Sequence, residues 1–212
     1  MSPERALLGF ALSVFVLHQL PAFAGDRAGA AIDLLTPFAV VGFSAAALAG
    51  LGARRGAVVV ALVAGTMYVD GHGMHLAANS IHNESAGTDV DDVIYFWDER
   101  LSHIEAVLGW FGLVAAFCLA EAGARPSADA RSRAPLAAAA VVLGWTFFTS
   151  TVEGQTWWLE LPATVLFVAF AVREPGPVTR TAAAAFAIGA GLIAVWAIWH
   201  GGVPEFSDVG LI

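Results

Sequence analysis

Six histidines and a run of carboxylates carry the reactive chemistry of this chain. The densest group is Asp70-Gly-His72-Gly-Met-His75-Leu-Ala-Ala-Asn79-Ser80-Ile-His82-Asn83. At about 100° per residue, His72, His75, Asn79, His82 and Asn83 fall within a helical arc of roughly 100°. Three imidazoles and two amides therefore share one face. Asp70 points off that face unless Gly71 and Gly73, both weak helix formers, break the helix there. A second group follows in Asp91-Asp92-Val-Ile-Tyr95-Phe-Trp-Asp98-Glu99-Arg100-Leu-Ser102-His103-Ile-Glu105. Asp91, Tyr95, Asp98, Ser102 and Glu105 make one stripe. Glu99 and His103, one turn apart, are placed to bond each other or share an ion.

Imidazoles and carboxylates at helical spacing are the ligands that zinc or a di-iron pair requires. A catalytic zinc site keeps three protein ligands and an open position for water. The candidate ligands are His72, His75, His82, His103 and His200, drawn from three helices. Asp98 or Glu99 would orient the water or act as base. Ser102 or Ser80 would donate to a developing oxyanion. Zinc is the expected cofactor, with iron as the alternative, or haem held by two histidines such as His75 and His103. His18 reads as an interfacial side chain, and Asp33, Glu153 and Glu160 read as bonds between helices. Cys118, in an apolar run, reads as a small buried hydrophobe. There is no metalloprotease, P-loop or dinucleotide motif.

The elements that position these residues follow from composition. The 212 residues are 58% hydrophobic and only 13% charged, too few charges to cover a soluble surface of that size. The mean hydropathy of +0.72 agrees. Lipid is therefore the expected solvent, and membrane lipids the expected partners. A net charge of -8, with no basic stripe, excludes nucleic acid. Apolar segments long enough to span a bilayer lie near 6–24, 31–52, 57–82, 93–121, 134–152, 156–173 and 178–200. The expected fold is an all-α, polytopic transmembrane bundle of seven spans, forming one domain over residues 1–212.

Every basic residue is arginine. Arg5, Arg54, Arg55, Arg125, Arg131, Arg133, Arg173 and Arg180 fall at alternate span ends, and the other side has Arg27 and Arg100 and otherwise acids. By the positive-inside rule those ends are cytoplasmic, which puts the N-terminus inside and the C-terminus outside. The segment Ala122–Arg133 is the longest expected cytoplasmic loop. The expected location is the inner (plasma) membrane. Ala22-Phe23-Ala24 before Gly25 also fits a signal-peptide cleavage pattern, which would leave six spans in the same orientation. All six histidines fall in the outer half, beside Trp157, Trp158, Trp196 and Trp199, which read as an aromatic belt.

At these positions the chain resembles the seven-helix zinc hydrolases that include alkaline ceramidases and adiponectin-receptor-type proteins. That family joins a helix-borne Ser and His, an Asp on the next helix and His residues on the last helix. His75 or His82 would match the first His, Ser80 the Ser, Asp98 the Asp and His200 a last-helix ligand. The last helix here has one His where the family carries two, and the polar helix is the third rather than the second. His103 would stand in for the missing ligand. The resemblance implies zinc-dependent amide or ester hydrolysis on a lipid-like substrate. Beside that enzyme reading stand a haem-binding redox protein, a transporter with an outer vestibule, and a pH-responsive sensor or assembly subunit.

Overall fold

The computed structural model describes residues 1–20, 26–85, 87–122 and 130–211; the side chains of 26, 27, 82–84 and 130–132 lie outside that description. The cleavage pattern at Ala22-Phe23-Ala24 and the greater part of the loop before α7 also lie outside the described residues.

Among the described residues the chain is all-helical. The elements are α1 (Pro3–Val14), α2 (Asp26–Asp33), α3 (Thr36–Leu51), α4 (Arg55–Ser85), α5 (Asp91–Tyr95), α6 (His103–Glu121), α7 (Ala130–Glu153), α8 (Trp157–Arg173) and α9 (Pro177–His200). A π turn, Phe15–Gln19, prolongs α1, and a π segment, Phe96–Ser102, joins α5 to α6. With α2 and α3 separated only by a turn, these make seven rods. Five of them are long and apolar enough to cross a membrane: Ala28–Leu51, Arg55–Ile81, Asp91–Glu121, Arg133–Glu153 and Pro177–His200.

The helices start where local chemistry allows. Proline stands in the first turn of α1, α3 and α9, where its missing N–H costs nothing. The start of α9 is capped from a distance. Buried Glu121, at the end of α6, accepts the backbone N–H groups of Val178 at 2.9 Å and Thr179 at 2.7 Å. A carboxylate there satisfies two orphan donors and meets the positive end of the helix dipole. Glu121→Ala should therefore cost about 1–2 kcal/mol. A lowered melting temperature in detergent is the expected readout.

Phe10, Phe117, Phe147, Phe186, Leu113 and Leu143 fill the core. The Phe186 ring stacks on Phe167 at 4.2 Å and on Phe147 at 4.4 Å between centroids, tying α7, α8 and α9 together. The outside of the bundle is apolar as well: Ile198 is 84% exposed, Trp199 81% and Phe38 78%. A surface of that kind belongs in lipid.

Two glycines decide how closely α4 and α6 approach. A Cβ on Gly71 would stand 2.5 Å from the Ala106 nitrogen and 2.7 Å from the Ser102 carbonyl oxygen. One on Gly109 would stand 2.4 Å from the Tyr68 nitrogen. Small residues at a crossing let membrane helices pack backbone to backbone. Gly71 thus serves close packing, and α4 runs unbroken through it. Asp70 is exposed, off the polar face.

The two ends of the bundle differ in chemistry. At one end Pro3 of α1 lies beside Gly50 of α3, and Glu121 beside the start of α9. At the other end lie the histidines and most of the buried acids. There the tail after α9 folds across the bundle. Phe206 N–H donates to Glu153 at 2.8 Å, the Trp196 indole to the Pro204 carbonyl at 2.9 Å and Gln155 to the Val203 carbonyl at 3.2 Å. Phe206 also packs on Phe148 and Trp196. Trp196 is thus a packing residue, whereas Trp158 and Trp199 are exposed.

Candidate metal centre

Four histidines meet at the polar end, from α1, α4 and the α5–α6 rod. His18 sits in the π turn that ends α1, and Asp98 in the π segment before α6. A π turn adds one residue to a helical turn and re-aims the side chains beyond it, a device common at functional sites. Gln19 donates to Thr149 of α7 and anchors the first π turn. Ser102 donates to the Asp98 carbonyl within the second.

The first half of the centre is His18, Asp33 and His72. Asp33 closes α2 and is buried. Its Oδ2 lies 2.8 Å from His18 Nδ1 and its Oδ1 3.1 Å from His72 Nε2. Thr36 donates to Oδ1 at 2.7 Å and holds the carboxylate in place. The three ligand atoms all lie within 4.8 Å of one another. Two ligands across a tetrahedral zinc with bonds of about 2.0–2.2 Å sit roughly 3.3–3.6 Å apart, so both imidazoles would have to draw back from the carboxylate, and His72 Nε2 from the Asp33 carbonyl at 3.3 Å, to admit an ion. Buried Tyr68 stacks on His72 at 5.7 Å and fixes its plane.

The second half adjoins the first. The His75 ring is 6.0 Å from that of His18 and 4.8 Å from that of His103. His75 Nδ1 lies 2.8 Å from Asp98 Oδ1, off the line of a hydrogen bond, so neither atom has a hydrogen-bond partner among the described residues. His103 Nδ1 donates to the Glu99 carbonyl at 2.9 Å, with the Glu99 carboxylate at 3.3 Å. The Glu99–His103 pair expected from spacing is therefore present.

The electrostatics favour a cation. Asp33 and Asp98 are both buried, and among the described residues their charged neighbours are histidines rather than arginines. Buried carboxylates are expensive unless paired or coordinated to a metal. A cleft of about 340 Å³ opens between the α5–α6 rod and the α7–α8 turn, with Tyr95, Glu99, Arg100, Gln155, Trp158 and Glu205 on its wall. Gly154, also on that wall, lies against the His103 ring. Burial, and then the charges of Glu153, Glu99 and Asp208, push the Glu205 carboxyl above its ordinary range.

Of the residues expected from sequence, the structure brings together His72, His75, His103, Asp98 and Glu99. The His82 side chain lies outside the described residues. His200 is exposed at the end of α9, its ring against Trp196 of the same helix, and it is not brought into the cluster. Ser102 is buried with its hydroxyl committed to Asp98, and exposed Ser80 donates to Leu76 of its own helix. Neither hydroxyl is aimed at the centre as an oxyanion donor. His18 and Asp33, read from sequence as an interfacial group and a helix–helix bond, prove central. The signal for them was a histidine and an acid at the same depth in adjacent spans. Comparison with protein-family models, curated proteins and solved structures gives no match.

Proposed function

We propose that this is a seven-span membrane enzyme whose His18–Asp33–His72 tripod holds a divalent metal, zinc in the first instance, for hydrolysis of a lipid-like ester or amide. The observation that carries the reading is a buried carboxylate clasped by two histidines from separate helices, at the polar end of an apolar bundle. Two histidines and one carboxylate with an open position are the ligand set of zinc hydrolases. Zinc so held would supply an acidified water and a Lewis acid for a carbonyl. Hydrolysis would join water to the carbonyl carbon and break the C–O or C–N bond, and the proton would pass to the departing oxygen or nitrogen. Glu99, on the cleft wall, is the carboxylate we assign to that proton transfer.

The two rods outside the five long ones, α1 with its π turn and α8, are taken as crossing too. Each reaches about 25 Å at 1.5 Å per residue, near the lower limit for a span. The ends that carry Arg5, Arg54, Arg55, Arg173 and Arg180 are then cytoplasmic, and the metal centre lies near the outer face of the plasma membrane. The chemistry is that implied by the resemblance to seven-helix zinc hydrolases. It draws on His18 and Asp33 in place of Ser80 and His200, so it does not depend on kinship. The 4.8 Å between His75 and His103 suits two ligands of one small ion better than two axial ligands of a haem.

The test uses full-length protein in detergent with a panel of ester- and amide-linked lipids. Release of fatty acid is expected, falling at least about 100-fold on chelation or with His72→Ala and returning with zinc. Turnover that survives metal removal, or no turnover by the fully loaded protein across the panel, would contradict the hydrolase reading.

A further inference from the structure

The cleft between the α5–α6 rod and the α7–α8 turn has a lining that the tripod does not use. Its volume of about 340 Å³ is at the small end of the range for organic ligands, about 300–1,000 Å³, and far too roomy for a bare ion. Its charge is acidic. Glu99 and Glu205 stand on the wall, with Arg100 as the one base among the described residues there. Glu205 also feels the charges of Glu153 and Asp208. Like charges gathered in this way attract a cation. A second, independent observation points to the kind of cation. Thr156 lines the same cleft and is only 1% exposed, and its hydroxyl has no hydrogen-bond partner among the described residues. It stands at the N-cap of α8 but makes no side-chain cap bond, so the helix does not use the hydroxyl either. A buried hydroxyl left unpaired is costly, and a donor on a ligand would satisfy it.

We infer that this cleft binds a primary alkylammonium group. Such a group carries three N–H donors and no acceptor. Glu205 and the Thr156 hydroxyl would accept from it. Trp158 commits its indole N–H to the Gln155 carbonyl at 3.1 Å, so what it offers the cleft is the π surface of its ring, which attracts ammonium groups. The turn that presents Thr156 is held in place. Gln155 has φ of +48°, a left-handed conformation uncommon outside glycine, and its amide donates to the Val152 carbonyl at 2.9 Å and the Val203 carbonyl at 3.2 Å. A quaternary ammonium would meet the charge and the ring but leave the Thr156 hydroxyl unpaired. A primary ammonium comes either from a free amine or from an ethanolamine phospholipid headgroup, whose phosphate would suit Arg100. The inference stands whether or not the tripod holds a metal.

Isothermal titration of the full-length protein in uncharged detergent, with a chelator present so that the tripod plays no part, gives the test. Saturable binding of n-butylammonium is expected. Tetramethylammonium, which has no N–H, should bind wild type at least about 5-fold more weakly, a comparison that needs no variant. Glu205→Gln should weaken n-butylammonium at least about 10-fold and Thr156→Val about 5-fold, whereas tetramethylammonium should be indifferent to Thr156→Val. Trp158→Leu should weaken both ions about 5-fold, and Trp158→Phe should restore most of the loss. Glycerophosphoethanolamine that binds more tightly than n-butylammonium, with the advantage lost in Arg100→Gln, assigns the site to the lipid headgroup; equal binding of the two assigns it to a free amine. No saturable binding of either amine by wild type, or affinities that Glu205→Gln and Thr156→Val both leave unchanged, would overturn the inference.

Discussion

Asp33→Asn should lower the affinity of the proposed His18–Asp33–His72 site for Zn²⁺ by at least about 100-fold while leaving the helices intact. The substitution keeps the shape of the side chain and removes its charge. Asp33 touches both His18, at 2.8 Å, and His72, at 3.1 Å. An amide there offers each imidazole a weaker partner and the ion no anionic ligand. The Thr36 hydroxyl, which donates to Asp33 at 2.7 Å, positions that carboxylate from behind. Thr36→Val should therefore weaken binding by about 10-fold, the lower end of the range for a group that orients a ligand. Titration of the purified variants with Zn²⁺ against a competing chelator measures both. Equal affinity in Asp33→Asn and wild type would remove Asp33 from the ligand set.

Gly71→Ala should do more damage than any other single methyl group added to α4. The new carbon would stand 2.5 Å from the Ala106 nitrogen and 2.7 Å from the Ser102 oxygen, both backbone atoms that no rotamer change can move. Ordinary contact needs about 3.5 Å, so α4 and α6 must part by roughly 1 Å. Such overpacking costs about 1–3 kcal/mol or more. The same parting would shift α4, which carries His72, so metal affinity at the proposed site should fall with the stability. Gly73→Ala is the internal control, because a Cβ there meets nothing within 4 Å. It should leave both properties unchanged or raise stability slightly through helix propensity. Thermal unfolding in detergent, read beside metal content, separates the two outcomes. Identical behaviour of the two variants would mean that the close crossing does not build the site.

These residues also show what sequence carries and what it does not. The rods were legible because hydropathy reports length, and lipid punishes any other structure. The shared depth of the histidines was legible for the same reason. Azimuth was not. His200 stands at a depth that suits the cluster, but α9 packs on α7 and α8 and turns that ring toward Trp196. His18 looked isolated because its partners are on α2 and α4, and it reaches them through a π turn. Such turns depend on tertiary contacts, here Gln19 on Thr149, rather than on local propensity. The same holds for the stripe drawn through Asp91, Tyr95, Asp98, Ser102 and Glu105. The π segment buries Asp98 and Ser102 and leaves Tyr95 exposed. Gly71 and Gly73 are alike in sequence, and only the position of α6 tells them apart.

On the reading proposed above, the polar end of this bundle is a metal centre built on His18, Asp33 and His72. X-ray absorption at the zinc edge of zinc-loaded, full-length protein tests it most directly. The predicted spectrum has nitrogen and oxygen neighbours at about 2.0–2.2 Å with the outer-shell pattern of imidazole, reduced in His18→Ala and His72→Ala. Zinc absent after loading, or a spectrum without imidazole that both variants leave unchanged, would contradict the account.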